Sequence, residues 1–163
     1  MARRFNCCVF NHPCPIYCRA VRSCENIVVN PIINTGFGFF NNTDVGAIAS
    51  NARIPLSFVQ GEGTTITSSQ AVLGAISLSA GTYQITYFAN GEVPASGTMS
   101  IKLRFNGVDV SGSILEATLP TGEQTTLTQT IVLTVSQTST LELVNNSADN
   151  TIFSLASMFV QVL

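Results

Sequence analysis

Apolar and polar residues alternate along several stretches of this chain. Tyr83, Ile85 and Tyr87 interleave with Thr82, Gln84 and Thr86. Met99, Ile101, Leu103 and Phe105 interleave with Ser100, Lys102 and Arg104. Ile131, Leu133 and Val135 interleave with Thr130 and Thr134, and Leu141 and Leu143 flank Glu142. A period of two sends successive side chains to opposite faces of an extended backbone, the pattern of a strand with one buried face. It predicts about eight strands, over 37–41, 54–59, 71–78, 82–91, 97–105, 108–115, 124–135 with 139–145, and 151–162. Asn106-Gly107 lies between two such runs and predicts a two-residue hairpin turn. Ala80-Gly81 and Thr121-Gly122 mark further turns. No window sustains the i, i+3, i+4 spacing of a helix, and Ala71–Ser79 is the one place where a short helix fits. The expected fold is all-β: an antiparallel β-sandwich or jelly roll over residues 36–163, preceded by an extended N-terminal arm, residues 1–35.

The last run breaks the alternation. From Ile152 to Leu163 both phases are apolar: Ile152, Ala156, Met158, Val160 and Val162 in one, Phe153, Leu155, Phe159 and Leu163 in the other. A strand of an antiparallel sandwich ordinarily buries one face. Either loops cover the second face or another subunit does, because large exposed apolar patches mark interfaces. The second possibility makes Phe153, Leu155 and Phe159 candidate oligomer-interface residues.

Composition fits a β-rich body with a hydroxyl-rich surface. Charged residues make up 10% of the 163 residues and hydrophobic ones 45%, which excludes a disordered chain. Thr, Ser and Asn number 18, 16 and 13, against a single Lys. The net charge of -2 argues against a nucleic-acid partner. No run approaches the ~18 apolar residues of a membrane span.

Charge and cysteine divide the chain in two. Arg3, Arg4, Arg19 and Arg22 lie in the first 24 residues, with no acid among them. All nine acids and only Arg53, Lys102 and Arg104 lie after that point. The five cysteines, Cys7, Cys8, Cys14, Cys18 and Cys24, all sit in the basic arm. No apolar stretch of the ~7–15 residues of a signal peptide follows Arg3 and Arg4, so synthesis in a cytosol is expected. The arm then has three readings. It holds a structural zinc, for which adjacent Cys7 and Cys8 and a lone His12 are a poor set. It stays a reduced tail. Or it forms disulfides between subunits, the reading favoured by an odd count and by adjacent thiols that point to different sides of an extended backbone. Disulfides would then form late, after the reducing compartment is lost.

No catalytic constellation stands out. The one histidine lies in the arm, and the body's carboxylates are scattered singly. Gly36-Phe37-Gly38-Phe39 lacks the lysine and the βα setting of a phosphate loop. Asn41-Asn42-Thr43 and Asn145-Asn146-Ser147 fit glycosylation spacing, and Asp44 with Asp149 is a weak cation candidate. The expectation is a non-enzyme with no cofactor and no metal.

Four stretches resemble a known family in their order. They are Phe37-Gly38-Phe39-Phe40-Asn41, Ile54-Pro55-Leu56-Ser57-Phe58, the run from Gly81-Thr82-Tyr83-Gln84-Ile85 to Ala89-Asn90, and Asn106-Gly107-Val108-Asp109-Val110-Ser111-Gly112-Ser113. The Gly81 stretch is similar to the signature of jelly rolls of the tumour necrosis factor and complement-head type. The set as a whole resembles the C-terminal head of the collagen-like exosporium glycoproteins of Bacillus spores. That resemblance implies a head that forms trimers, with a display or adhesion role on the spore surface. No Gly-X-Y stalk precedes this head.

In the stalk's place, Phe5-Asn6-Cys7-Cys8 resembles the N-terminal connector of endospore appendage (Ena) fibre subunits, which links successive subunits by disulfides. The body lacks the acceptor cysteines of those subunits, so cross-links here would join arm to arm, or arm to another protein. The resemblance implies a structural, self-assembling subunit of a spore-surface fibre. Trimers would stack through arms docked by Phe5, Arg3 and Arg4. The alternative is a trimeric exosporium-type head anchored to the spore by its arm.

Overall fold

The computed structural model describes residues 36–68 and 72–163. The expectations for Arg3, Arg4, Phe5, Cys7, Cys8, Cys14, Cys18 and Cys24 lie outside the described residues, as does the extended course of the arm.

Twelve strands form two antiparallel sheets among the described residues. In the first, the order is β10 (Gln124–Val135), β6 (Gly81–Glu92), β12 (Thr151–Val162), β1 (Phe37–Asn42), β3 (Ser57–Glu62). β2 (Gly46–Ile48) continues beyond β1 along β12. In the second, the order is β4 (Ile66–Ser68), β5 (Ile76–Leu78), β11 (Ser139–Asn145), β7 (Gly97–Phe105), β8 (Val108–Asp109), with β9 (Leu115–Leu119) also on β7. The inner faces meet in one core. Tyr83, Ile85, Tyr87 and Ala89 of β6 face Met99, Ile101 and Leu103 of β7 and Leu141 and Leu143 of β11, all fully buried. This is the jelly-roll sandwich that the period-two pattern predicts.

The long strands stand where the alternation puts them, and the short ones do not. Asn106 and Gly107 both have positive φ, 50° and 80°, as a two-residue hairpin between β7 and β8 requires. The strand expected over 54–59 begins only at Ser57. Ile54 and Leu56 are buried, but they belong to a segment crossing between the sheets. There the Ile54 amide bonds the Leu143 carbonyl at 2.8 Å, and Pro55 has no amide to offer a ladder. Only Ile76–Leu78 of the run expected over 71–78 is strand. No helix forms over the described residues 72–79, where Gly74 at φ 81° turns the chain into β5. The run expected over 108–115 breaks at Gly112, φ 76°, and becomes β8 and β9.

The largest departure lies in β12. Phe153 stands opposite Gly91 and Leu155 opposite Asn90, leaving Ser154 without a partner in β6. This one-residue bulge exchanges the faces. Phe153 turns inward with Ala156, Met158 and Val160 and is 1% exposed, while Ile152, expected in that phase, turns outward. Phe153 is therefore a core residue and not an oligomer-interface residue. Gly91 makes room for the bulge: a Cβ there would lie 2.6 Å from the Ile152 carbonyl oxygen. Phe153→Ala should cost about 3–5 kcal/mol in chemical denaturation, the penalty of an emptied aromatic site in a core. A loss under about 1 kcal/mol would contradict the inward placement.

Candidate functional site

The outer face of the first sheet carries a cluster of partly exposed aromatic residues. Its residues follow from the pairing of the strands. One row across the sheet reads Thr130, Thr86, Phe159, Phe39, Gln60. The row on one side reads Val132, Gln84, Gln161, Phe37, Glu62, and the row on the other reads Thr128, Phe88, Ser157, Asn41, Ser57. Phe37 stacks on Phe159 with ring centroids 5.9 Å apart. Phe39 lies directly across from Phe159, and Phe88 is its diagonal neighbour on β6. Leu155 continues the patch beside Asn90. Four phenylalanines thus share one sheet face that the other described residues do not bury: all four keep intermediate exposure. The acids of this face, Glu62 and Glu92, stand at its ends.

Around the rings the face is hydroxyl and amide. Thr86 and Thr130 hydroxyls meet at 2.7 Å, those of Thr82 and Thr134 at 3.3 Å, and the Asn90 amide donates to Thr126 at 2.9 Å. These cross-strand pairs satisfy polar side chains within the sheet.

Of the three interface candidates, Leu155 and Phe159 lie on this face and Phe153 does not. Phe37, Phe39 and Phe88 belong to it and were not anticipated. The signal for Phe88 was present in the sequence: it falls in the polar phase of β6, after Thr82, Gln84 and Thr86.

Charge is gathered elsewhere. The described bases all lie on the outer face of the second sheet. Arg53 pairs with Glu142, and Lys102 meets Asp109 at 2.7 Å, with Arg104 at 3.4 Å from the same carboxylate. The hydrogen bond from Lys102, with lesser help from Arg104, holds the Asp109 carboxyl below its ordinary range. Inside the sandwich, burial pushes the Tyr87 hydroxyl up to about 12. It therefore remains a donor, bonding the Ser113 carbonyl at 2.6 Å.

The two ends of the sandwich differ. At one end Gly36 accepts from the Val162 amide, and the Leu163 amide bonds the Thr82 carbonyl, both at 2.9 Å. At the other end lie the loops 43–45, 93–96, 120–123 and 146–150. Asp44, Glu123 and Asp149 stand on those loops. A cavity of about 760 Å³ opens between the loops 93–96 and 146–150 and the strand carrying Glu116. Among the described residues, no three His, Cys, Asp or Glu side chains gather as metal ligands, so Asp44 and Asp149 find no third partner. Asn145 is fully buried and its amide is bonded to the Ile48, Ala49 and Asp149 carbonyls, which rules it out as a glycan acceptor.

The fold is that of the tumour necrosis factor and complement-head jelly rolls. Murine APRIL superimposes with a TM-score of 0.58 at 10% identity, covering 78% of this chain and 99% of its own. The globular domain of zebrafish complement 1qA gives 0.51 at 15% identity, covering 79% and 96%. The vertex protein P5 of PRD1 gives 0.51 at 16%, covering 80% and 98%. No protein-family model matches the chain, and no curated protein matches it in sequence.

Proposed function

We propose that this protein is a structural, self-assembling subunit. In this reading a jelly-roll head associates with copies of itself through the outer face of its first sheet, and a cysteine-rich arm then locks the assemblies covalently. One observation carries the proposal: the face bearing Phe37, Phe39, Phe88 and Phe159 has no charge in its middle and is left uncovered by the head itself. Apolar area of that kind is stabilised by removal from water, and a second copy supplies the same flat, uncharged chemistry. The sequence resemblance to exosporium heads supports three copies around an axis near Phe159 and Leu155.

The resemblance of Phe5-Asn6-Cys7-Cys8 to appendage connectors supports stacking of such trimers into a spore-surface fibre. The trimer gathers several arms at one place and raises the local thiol concentration to the mM range, which favours bonds between chains. Arginines of the arm and the free carboxylates of neighbouring heads attract one another, an attraction that salt weakens. Docking would thus be salt-sensitive and locking salt-insensitive.

In light scattering under reducing conditions the full chain should run as a trimer. Phe159→Asp, which places a charge in the contact, should give a folded monomer with an unchanged circular dichroism spectrum. A monodisperse monomer of the unmutated protein would sink the assembly reading.

The arm has a separate test. After oxidation and boiling, the wild-type chain should migrate as a ladder on a non-reducing gel and collapse to one band on reduction. The double change of Cys7 and Cys8 to Ser should remove most of the ladder without unfolding the head. A single monomer band from the oxidised wild type would leave the anchored head as the surviving reading.

A further inference from the structure

The cavity at the loop end has a chemistry of its own. Its floor is set by Ser100 and Ser147, which are 3% and 2% exposed. The Asn146 side chain donates to the Ser100 hydroxyl at 2.9 Å, and the Asn146 amide to the Ser100 carbonyl at 2.8 Å. Thr151 donates to the Ser147 hydroxyl at 2.8 Å, and the Ser100 amide bonds that same hydroxyl at 2.9 Å. The loop 146–150 is thereby tied to β7, and the cavity is formed before any ligand arrives. Its volume falls in the range of small-molecule sites, roughly 300–1,000 Å³.

The walls decide what fits. Val93, Pro94, Ala95 and Ala148 give an apolar side, Glu116 and Asp149 are the charged groups of the lining, and most of the remainder is hydroxyl and amide. Among the described residues no base lines the cavity, and Arg53, Lys102 and Arg104 are held in ion pairs with Glu142 and Asp109. A ligand must therefore bring hydrogen-bond donors and no acid group. The site also lies at the end of the sandwich away from Gly36, where the chain leads in from the arm.

We propose that this cavity is a saccharide-binding site, selecting hydroxyl- and ammonium-bearing sugars over acidic ones. Sugar hydroxyls would bond Asn146, Ser96 and the rim carboxylates, and a sugar ammonium would sit between Glu116 and Asp149.

The test is calorimetric titration of the full chain, kept reduced, with glucosamine, glucose and glucuronate at low ionic strength. Glucosamine should bind best, glucose more weakly, and glucuronate not at all. The double variant Glu116→Gln/Asp149→Asn should lose the preference for glucosamine over glucose by about tenfold, as charge-assisted hydrogen bonds are replaced by neutral ones. Its melting temperature should stay unchanged. Equal heats from all three sugars, no heat at millimolar concentrations, or an unaltered preference in the double variant would overturn the proposal. So would binding of spermidine without binding of glucose, which would mark a simple cation site. Light scattering on the same samples separates the two readings: a trimer that binds no sugar defeats this inference alone, and a monomer that binds sugar defeats the assembly alone.

Discussion

β12 has to satisfy two apolar faces at once, and the organisation of the head follows from how it does so. It lies in the middle of the first sheet, paired with β6 on one side and with β1 and β2 on the other. Its inner face supplies Phe153, Ala156, Met158 and Val160 to the core. Its outer face then holds Leu155 and Phe159, and the neighbouring strands add Phe37, Phe39 and Phe88 rather than covering them. A strand that is apolar on one side only would have given a sandwich with a wet face. This one gives a sandwich whose outer face is aromatic and partly exposed.

The bulge at Ser154 makes the arrangement possible. Without it, the strict alternation that carries Ala156, Met158 and Val160 inward would turn Phe153 out and Ile152 in. An extra residue in one strand resets the phase at that point. Gly91 opposite is what allows the two backbones to approach there. Residues either side of the bulge thus belong to different registers of the same core.

Much of the fold was legible in the sequence for one physical reason. In β6, β7, β10 and β11 one face packs on the core and the other carries mainly polar side chains, so their residues alternate in kind even where, as at Ser100 and Lys102, the polar face is itself covered. The Asn106-Gly107 turn was legible because few residues other than glycine and asparagine accept positive φ. The short strands β2 and β4 were not, since three residues carry no period. The bulge left no trace in composition, and for that reason Phe153 was assigned to the wrong face. Two of the five apolar residues of the candidate site were readable, because Leu155 and Phe159 stand out in a run with no polar phase. Phe88 was hidden by its place in an otherwise polar series, and Phe37 and Phe39 by glycine neighbours that give their strand no polar phase. The loop-end cavity was beyond the sequence altogether, for it joins Val93, Glu116 and Asn146 through tertiary contact alone.

Aromatic contact needs no disulfide, so the proposed association of the heads can be tested apart from the arm. The most direct measurement is hydroxyl-radical footprinting of the full chain under reducing conditions, read residue by residue. Phe58, 47% exposed on the edge strand β3, serves as the internal standard. If copies cover the outer face of the first sheet, Phe37, Phe39, Phe88 and Phe159 should be oxidised as slowly as buried Phe40, while Phe58 reacts freely. Rates for those four that rank between Phe40 and Phe58, as their partial exposure in a single head dictates, would contradict the account.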